Sequence, residues 1–283
     1  MSSRRDLCLF VSALIVTVPL LRAEMKAPNV EHQLRNLRSV LVDQRPATII
    51  ELAAEIRALP ASSHKVGYAD ELAHLSTAGD VGRPALQAAA DALTAALTEA
   101  PVPAKGDMVP TQYYDLARLV HYEQVTTTMT DPLFVKAVKI LSENETALEK
   151  ADFSLMNLSG QKTVLSEMRG RIVLVNFWAT SCGQCQQEMK DLDAINRKFA
   201  PQGLAVVSIT NEDRFKARSF LAPYKYSPTV LLDPGDKVHR QFHVTGVPTT
   251  FLFGRDGKLL AVAIDQRTRR QLLEMLAKTD LRL

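Results

Sequence analysis

Residues 171–185 read Arg-Ile-Val-Leu-Val-Asn-Phe-Trp-Ala-Thr-Ser-Cys-Gly-Gln-Cys. The apolar run Ile172–Trp178 is bounded by charge on one side and small residues on the other, which predicts a buried strand. A helical pattern begins at the cysteines and runs to Phe199. Two cysteines three apart, where a buried strand gives way to a helix, form the arrangement that dithiol–disulfide chemistry needs. Cys182 falls at the helix N-terminus, where unpaired N–H groups and the helix dipole favour a thiolate. Cys185 lies one turn on, close enough to close a ring with it.

Working outward, 283 residues suffice for two compact domains, and a hydrophobic fraction of 46% is that of a globular protein. A net charge of +3 is too small at this length to point to a nucleic-acid partner. Three cysteines are too few for a disulfide scaffold. Residues 1–23 carry Arg4 and Arg5, an apolar run from Leu7 to Leu21 and then Ala23, the order of an export signal peptide. Ser3–Leu7 also resembles a twin-arginine signal. Leu21 and Arg22 fit a cleavage site poorly, so the alternative is an uncleaved anchor through residues 7–21, although this run is short of the ~20 residues a spanning helix needs. Cys8 lies in this run and is expected to be lost with it, leaving Cys182 and Cys185 as the mature chain's cysteines in an oxidising, periplasmic compartment.

Residues 25–150 predict about six helices: Val30–Val42, one opened by Pro46 and ended by Pro60, 64–77, the alanine-rich 84–98, Tyr113–Gln124 and Pro132–Lys150. No fixed repeat period is present. His32, His64, His74 and His121 lack ligand spacing, and Tyr113, Tyr114 and Tyr122 are expected to serve packing, the alternative being a docking face for a partner. This region shows no chemistry of its own and is expected to be an interaction or spacer domain.

Residues 151–283 alternate strands and helices as a mixed α/β sheet does. A hairpin turns at Ser159-Gly160; strands follow at 171–178, 204–210, 229–232, Val247–Phe253 and 259–264; helices fall at 182–199, 212–221 and Gln266–Lys278. This half resembles the thioredoxin superfamily, and within it the exported TlpA-like (redoxin) thiol–disulfide oxidoreductases. The likeness rests on Asp152-Phe153-Ser154-Leu155 with Leu165-Ser166 and Arg169-Gly170-Arg171, on Val173–Thr180 before the dithiol, and on Gly246-Val247-Pro248-Thr249-Thr250-Phe251. It implies an α/β thioredoxin fold, here preceded by an all-α domain.

The resemblance implies that Cys182 attacks a substrate disulfide and Cys185 resolves the mixed disulfide. It implies a cis-Pro248 beside the dithiol, with the backbone of Val247 free to pair with substrate and with Trp178 and Ser181 lining the binding surface. Thioredoxins use a buried aspartate on the central strand as proton acceptor, but Asn176 stands there; the family's cytochrome-maturation members use a glutamate three residues after the second cysteine, and Glu188 has that spacing. Ser181 and Gln184 depart from the family's tryptophan and proline. No cofactor or metal is implied. The partners implied are a protein disulfide substrate and a membrane or periplasmic thiol electron donor.

His239 and His243 are four apart but lack a third ligand, and are expected to be surface or packing residues. Asp191 and Asp193 are expected to be solvated. Two other functions compete with the oxidoreductase. A thiol peroxidase would place its cysteine in a Pro-x-x-x-Thr-x-x-Cys setting, which Thr180-Ser181-Cys182 lacks. A redox-sensing interaction protein would use the helical region to bind its partner.

Overall fold

A computed structural model describes residues 29–283. The expected export signal or anchor in residues 1–23, with Cys8, lies outside the described residues. Among these, no helix is long and apolar enough to cross a membrane.

Six helices come first: α1 (residues 29–36), α2 (Arg45–Arg57), α3 (Ser63–Ser76), α4 (Gly82–Glu99), α5 (Thr111–Tyr122) and α6 (Pro132–Leu148). Their ends follow local chemistry. Pro46 opens α2, where its missing N–H costs nothing. The Ser62 hydroxyl accepts from Lys65 N–H at α3, and Asp131 caps α6. The first helix stops earlier than its apolar spacing predicts and passes through a 3₁₀ turn, Leu37–Ser39. The Arg45 guanidinium donates to the Arg38 and Val40 carbonyls, at 3.1 and 3.2 Å, which a longer helix would have used internally. Alanines 85, 89, 92 and 96 on α4 let α2, α3 and α5 pack closely around it. Ile56, Leu72, Leu93 and Leu116 fill the shared core, and Tyr113 is fully buried in it.

The remaining residues build one seven-stranded sheet from β1 (Ser154–Asn157), β2 (Lys162–Val164), β3 (Ile172–Phe177), β4 (Leu204–Thr210), β5 (Thr229–Leu232), β6 (Thr249–Phe253) and β7 (Leu259–Ile264). The order is β2-β1-β5-β4-β3-β6-β7. Strands β3, β4 and β5 run parallel, whereas β6 pairs with β3 and β1 with β5 antiparallel. The helices are α7 (Gly183–Phe199), α8 (Arg214–Leu221), α9 (Lys237–Gln241) and α10 (Arg269–Leu276). Every residue of β3 is buried, because helices and loops cover both faces. Its alternation divides the core: Val173, Val175 and Phe177 pack with Phe242 and Phe251, while Ile172 and Leu174 pack with Leu192, Phe199 and Leu272. Each such side chain contributes about 1.5–3 kcal/mol of burial. Asn176, next on the second face, is thereby aimed towards α7.

The last helix is shorter than the span Gln266–Lys278 that its apolar pattern predicts. Asp265 takes φ +69°, and Thr268 caps α10 in a reciprocal pair with Gln271, so residues 265–267 form a connector outside the helix. This connector meets the helical region: Gly79 N–H donates to Gln266 O at 2.9 Å, and Thr77 Oγ1 donates to Asp265 Oδ2 at 2.6 Å.

Candidate active site

Strand β3 ends beneath the site and delivers the chain to α7, whose N-cap is Cys182. Cys182 and Cys185 are joined in a disulfide, and Cys182 Sγ accepts the Cys185 N–H at 3.1 Å. In the reduced protein the same N–H and the helix dipole would stabilise a Cys182 thiolate. Cys182 is half-buried and Cys185 is 1% exposed, so an incoming disulfide can reach the first sulfur and not the second. The turn before the pair is anchored by Glu212, which accepts from Thr180 N–H at 2.9 Å and Thr180 Oγ1 at 2.8 Å. Burial opposes ionisation of Glu212, but these bonds and Lys216 outweigh it and hold its carboxyl below the ordinary value.

The Val247–Pro248 peptide is cis, as the resemblance implied, and Val247 O lies 3.6 Å from Cys182 Sγ. Ser181 is exposed beside the disulfide and Pro248 is buried. Trp178 is 1% exposed and its ring lies 5.7 Å from that of Phe220. It therefore forms the floor of the site rather than its open face. A groove of about 600 Å³ continues from Gly183 along α7, lined by Met189, Phe220, Tyr224 and Tyr226.

Glu188 is 1% exposed, one turn beyond Cys185 on the same face of α7. Its Oε1 accepts the Arg267 backbone N–H at 2.9 Å and its Oε2 accepts Asn176 Nδ2 at 3.1 Å. Asn176 also donates to Thr250 Oγ1 at 2.9 Å. Burial pushes the Glu188 carboxyl up to about 7, partly offset by the Arg267 N–H, the Arg267 charge and Asn176. A carboxyl poised there exchanges protons near neutral pH.

The sequence places Cys182, Cys185, Ser181, Trp178, Val247, Pro248 and Glu188, and the fold gathers all seven around the disulfide. It does not single out Arg267, Glu212, Thr250 or Phe220; their contacts are long-range and no local pattern marks them. Two acidic residues expected to be solvated are paired: Asp193 accepts Ser227 N–H at 2.7 Å and Arg197 Nε at 2.9 Å, and Asp191 faces Arg269 at 3.7 Å. Ser227 and Arg269 lie on segments packed beside α7, whereas Arg197 is one turn on along α7 itself. His239 has the expected packing role, edge-on to Phe177 with Nδ1 2.7 Å from Asp233 Oδ2. His243 lies beyond the end of α9 and is exposed.

A mixed sheet of this order, a disulfide at the N-terminus of the helix after its central strand and a cis-proline loop facing it define a protein of the thioredoxin superfamily. The AhpC/TSA family model matches residues 148–262. The chain is 30% identical over 131 residues to the thiol-disulfide oxidoreductase ResA of Bacillus cereus, covering 46% of this chain and 76% of ResA. It is 32% identical over 134 residues to the thioredoxin-like protein YneN of Bacillus subtilis, again covering 46% and 76%. A solved structure from Chlorobium tepidum, of a candidate thiol:disulfide interchange protein DsbE, is 32% identical with a TM-score of 0.43, covering 45% of this chain and 93% of that one. The chain belongs to the ResA-like thiol–disulfide oxidoreductases of the thioredoxin superfamily.

Proposed function

We propose that the chain reduces protein disulfides outside the cytoplasm, through a mixed disulfide on Cys182. The observation that carries this reading is a buried carboxyl, Glu188, one turn behind a buried Cys185, with the half-exposed Cys182 facing the cis-proline loop. The Cys182 thiolate attacks one substrate sulfur, forming a new S–S bond and releasing the other substrate sulfur as a thiolate. Cys185 then attacks Cys182 Sγ. Its proton passes to Glu188, the mixed disulfide breaks, and the substrate leaves reduced while the enzyme is left oxidised. The backbone of Val247 pairs with the substrate strand, Ser181 and Pro248 border it, and Trp178 supports the surface from below. An extracytoplasmic thiol donor, membrane-bound or periplasmic, returns two electrons to the pair. Residues 1–23 supply the export signal or, uncleaved, an anchor.

The test is covalent trapping. Reduced Cys185→Ser protein, incubated with a disulfide-containing protein such as insulin, should accumulate a thiol-sensitive adduct on non-reducing gels, and Cys182→Ser should give none. Equal adduct from both variants would refute the assignment of attacking and resolving thiols. The match to the AhpC/TSA family favours a second reading, a thiol peroxidase. Hydrogen peroxide turnover exceeding insulin reduction under the same thiol donor would establish it.

A further inference from the structure

The connector that donates a main-chain N–H to Glu188 is held from the helical region. Arg267 is 7% exposed at its side chain, and its guanidinium spans two elements. Nη1 donates to Glu123 Oε2 at 3.2 Å, Nη2 pairs with Glu123 Oε1, and Nη2 also reaches Ile264 O at 3.2 Å. Glu123 is 9% exposed at its side chain and caps the C-terminus of α5. The two partners stand 144 residues apart in the chain. Both segments have left-handed backbone at a non-glycine residue beside the pair: Gln124 at φ +55° and Asp265 at φ +69°. Such residues cost free energy and persist where surrounding contacts hold them. A bidentate, nearly buried guanidinium–carboxylate pair is such a contact, and it fixes direction as well as distance.

We propose that Glu123 is a positioning residue for the thiol–disulfide reaction: by clamping Arg267 it holds the connector so that the Arg267 N–H and guanidinium charge stay on Glu188, and the helical region thereby sets the proton affinity of the site. This rests on the reading of Glu188 as proton acceptor for Cys185. The groups that face or influence Glu188 are few. Arg267 approaches from the connector, Asn176 from β3, Cys185 and Asp191 from the turns of α7 before and after it, and Tyr226 from the segment before β5. Among the charged ones, Arg267 alone is positive. If Glu123 is lost, an unpaired guanidinium at this depth is costly, and the side chain turns to water and takes the connector with it. Glu188 then loses a hydrogen-bond donor and a nearby positive charge, and both losses raise its proton affinity.

The experiment uses the full chain and follows resolution directly. Reduced protein reacts with an aromatic disulfide, 5,5′-dithiobis(2-nitrobenzoate). The first thionitrobenzoate leaves as Cys182 attacks and the second as Cys185 resolves. The rate of the second release is recorded against pH. Glu123→Ala should move the inflection upwards by about one unit, the scale of one lost hydrogen bond plus a displaced charge. Arg267→Met, which cuts the same link from the other side and removes the charge while leaving the main-chain N–H, should move it in the same direction; should Glu123→Ala fail to fold, an unmoved inflection in folded Arg267→Met overturns the proposal. Folding is checked by circular dichroism and Trp178 fluorescence. A profile that superimposes on the parent, or moves downwards, in a folded variant overturns the proposal. Glu188→Gln is the control: if it leaves the inflection in place, the proton-acceptor reading itself has failed, a result distinct from a Glu188-dependent inflection that ignores Glu123.

Discussion

The helical region and the sheet region bury themselves by different means. In the sheet, a six-residue strand serves two cores, because alternate side chains of β3 enter opposite layers. In the helical region, one face of each helix enters a single core around α4. The candidate site follows the first plan: β3 leads to the N-terminus of α7, and Asn176 near its end reaches Glu188, one turn beyond Cys185 on that helix. The helices meet the connector at residues 265–267 through the loop at Thr77 and Gly79 and through Glu123.

The sharpest way to break this comparison is to damage one core and watch the other. Leu93 lies at the centre of the helical core with no exposure. Leu93→Ala is expected to cost about 4 kcal/mol. The chain has one tryptophan, Trp178, in the sheet region, so its fluorescence reports that half while far-ultraviolet circular dichroism is dominated by helix. In urea, the dichroism transition should move to lower denaturant and the fluorescence transition should move less. Equal movement would mean that the two regions unfold as one unit.

A smaller effect is expected at Lys65. Its side chain is 1% exposed, yet its ammonium has three partners: the Arg57 and Leu59 carbonyls at 2.8 and 2.9 Å and Glu99 Oε2 at 2.8 Å. It thus satisfies carbonyls that the end of α2 leaves without helical donors. Lys65→Met keeps much of the volume and should destabilise the helical region by about 3 kcal/mol in a urea titration, since the carbonyls stay buried without donors. A variant within experimental error of the parent would show that water replaces the ammonium.

How much of this was legible in the sequence differs between the halves for the same reason. Strand β3, the dithiol and the 246–251 segment carry their identity in short contiguous runs, so the fold of residues 151–283 and the cysteines could be read directly. Helix spans from α2 to α6 were also legible, because apolar spacing and prolines are local signals. What was not legible joins residues distant in the chain. Nothing local marks Lys65 or Glu123, and Arg267 falls within the span predicted for the last helix. Buried polar contacts are settled by the tertiary fold, and a single sequence records only one partner at a time.

The smallest effect tests whether Glu188 is a burden that the sheet region carries for function. Its ordinary value is 4.5, and burial raises it to about 7 in the folded chain. Between those values the unfolded chain has released a proton that the folded chain still holds, so stability falls as pH rises through this window. The contribution is fully present below 4.5 and lost above about 7. Glu188→Gln removes the titration. Gln Oε1 can still accept the Arg267 N–H, while the amide group meets the Asn176 donor less well, so the net gain is held to about 1–2 kcal/mol at pH 8. Urea titrations at several pH values should therefore show the variant more stable than the parent at pH 8, with the advantage shrinking towards pH 4.5. A constant difference across that range would mean that Glu188 does not titrate there. The mutant's predicted gain in stability, set beside slower resolution of the mixed disulfide, would separate a residue kept for proton transfer from one kept for packing.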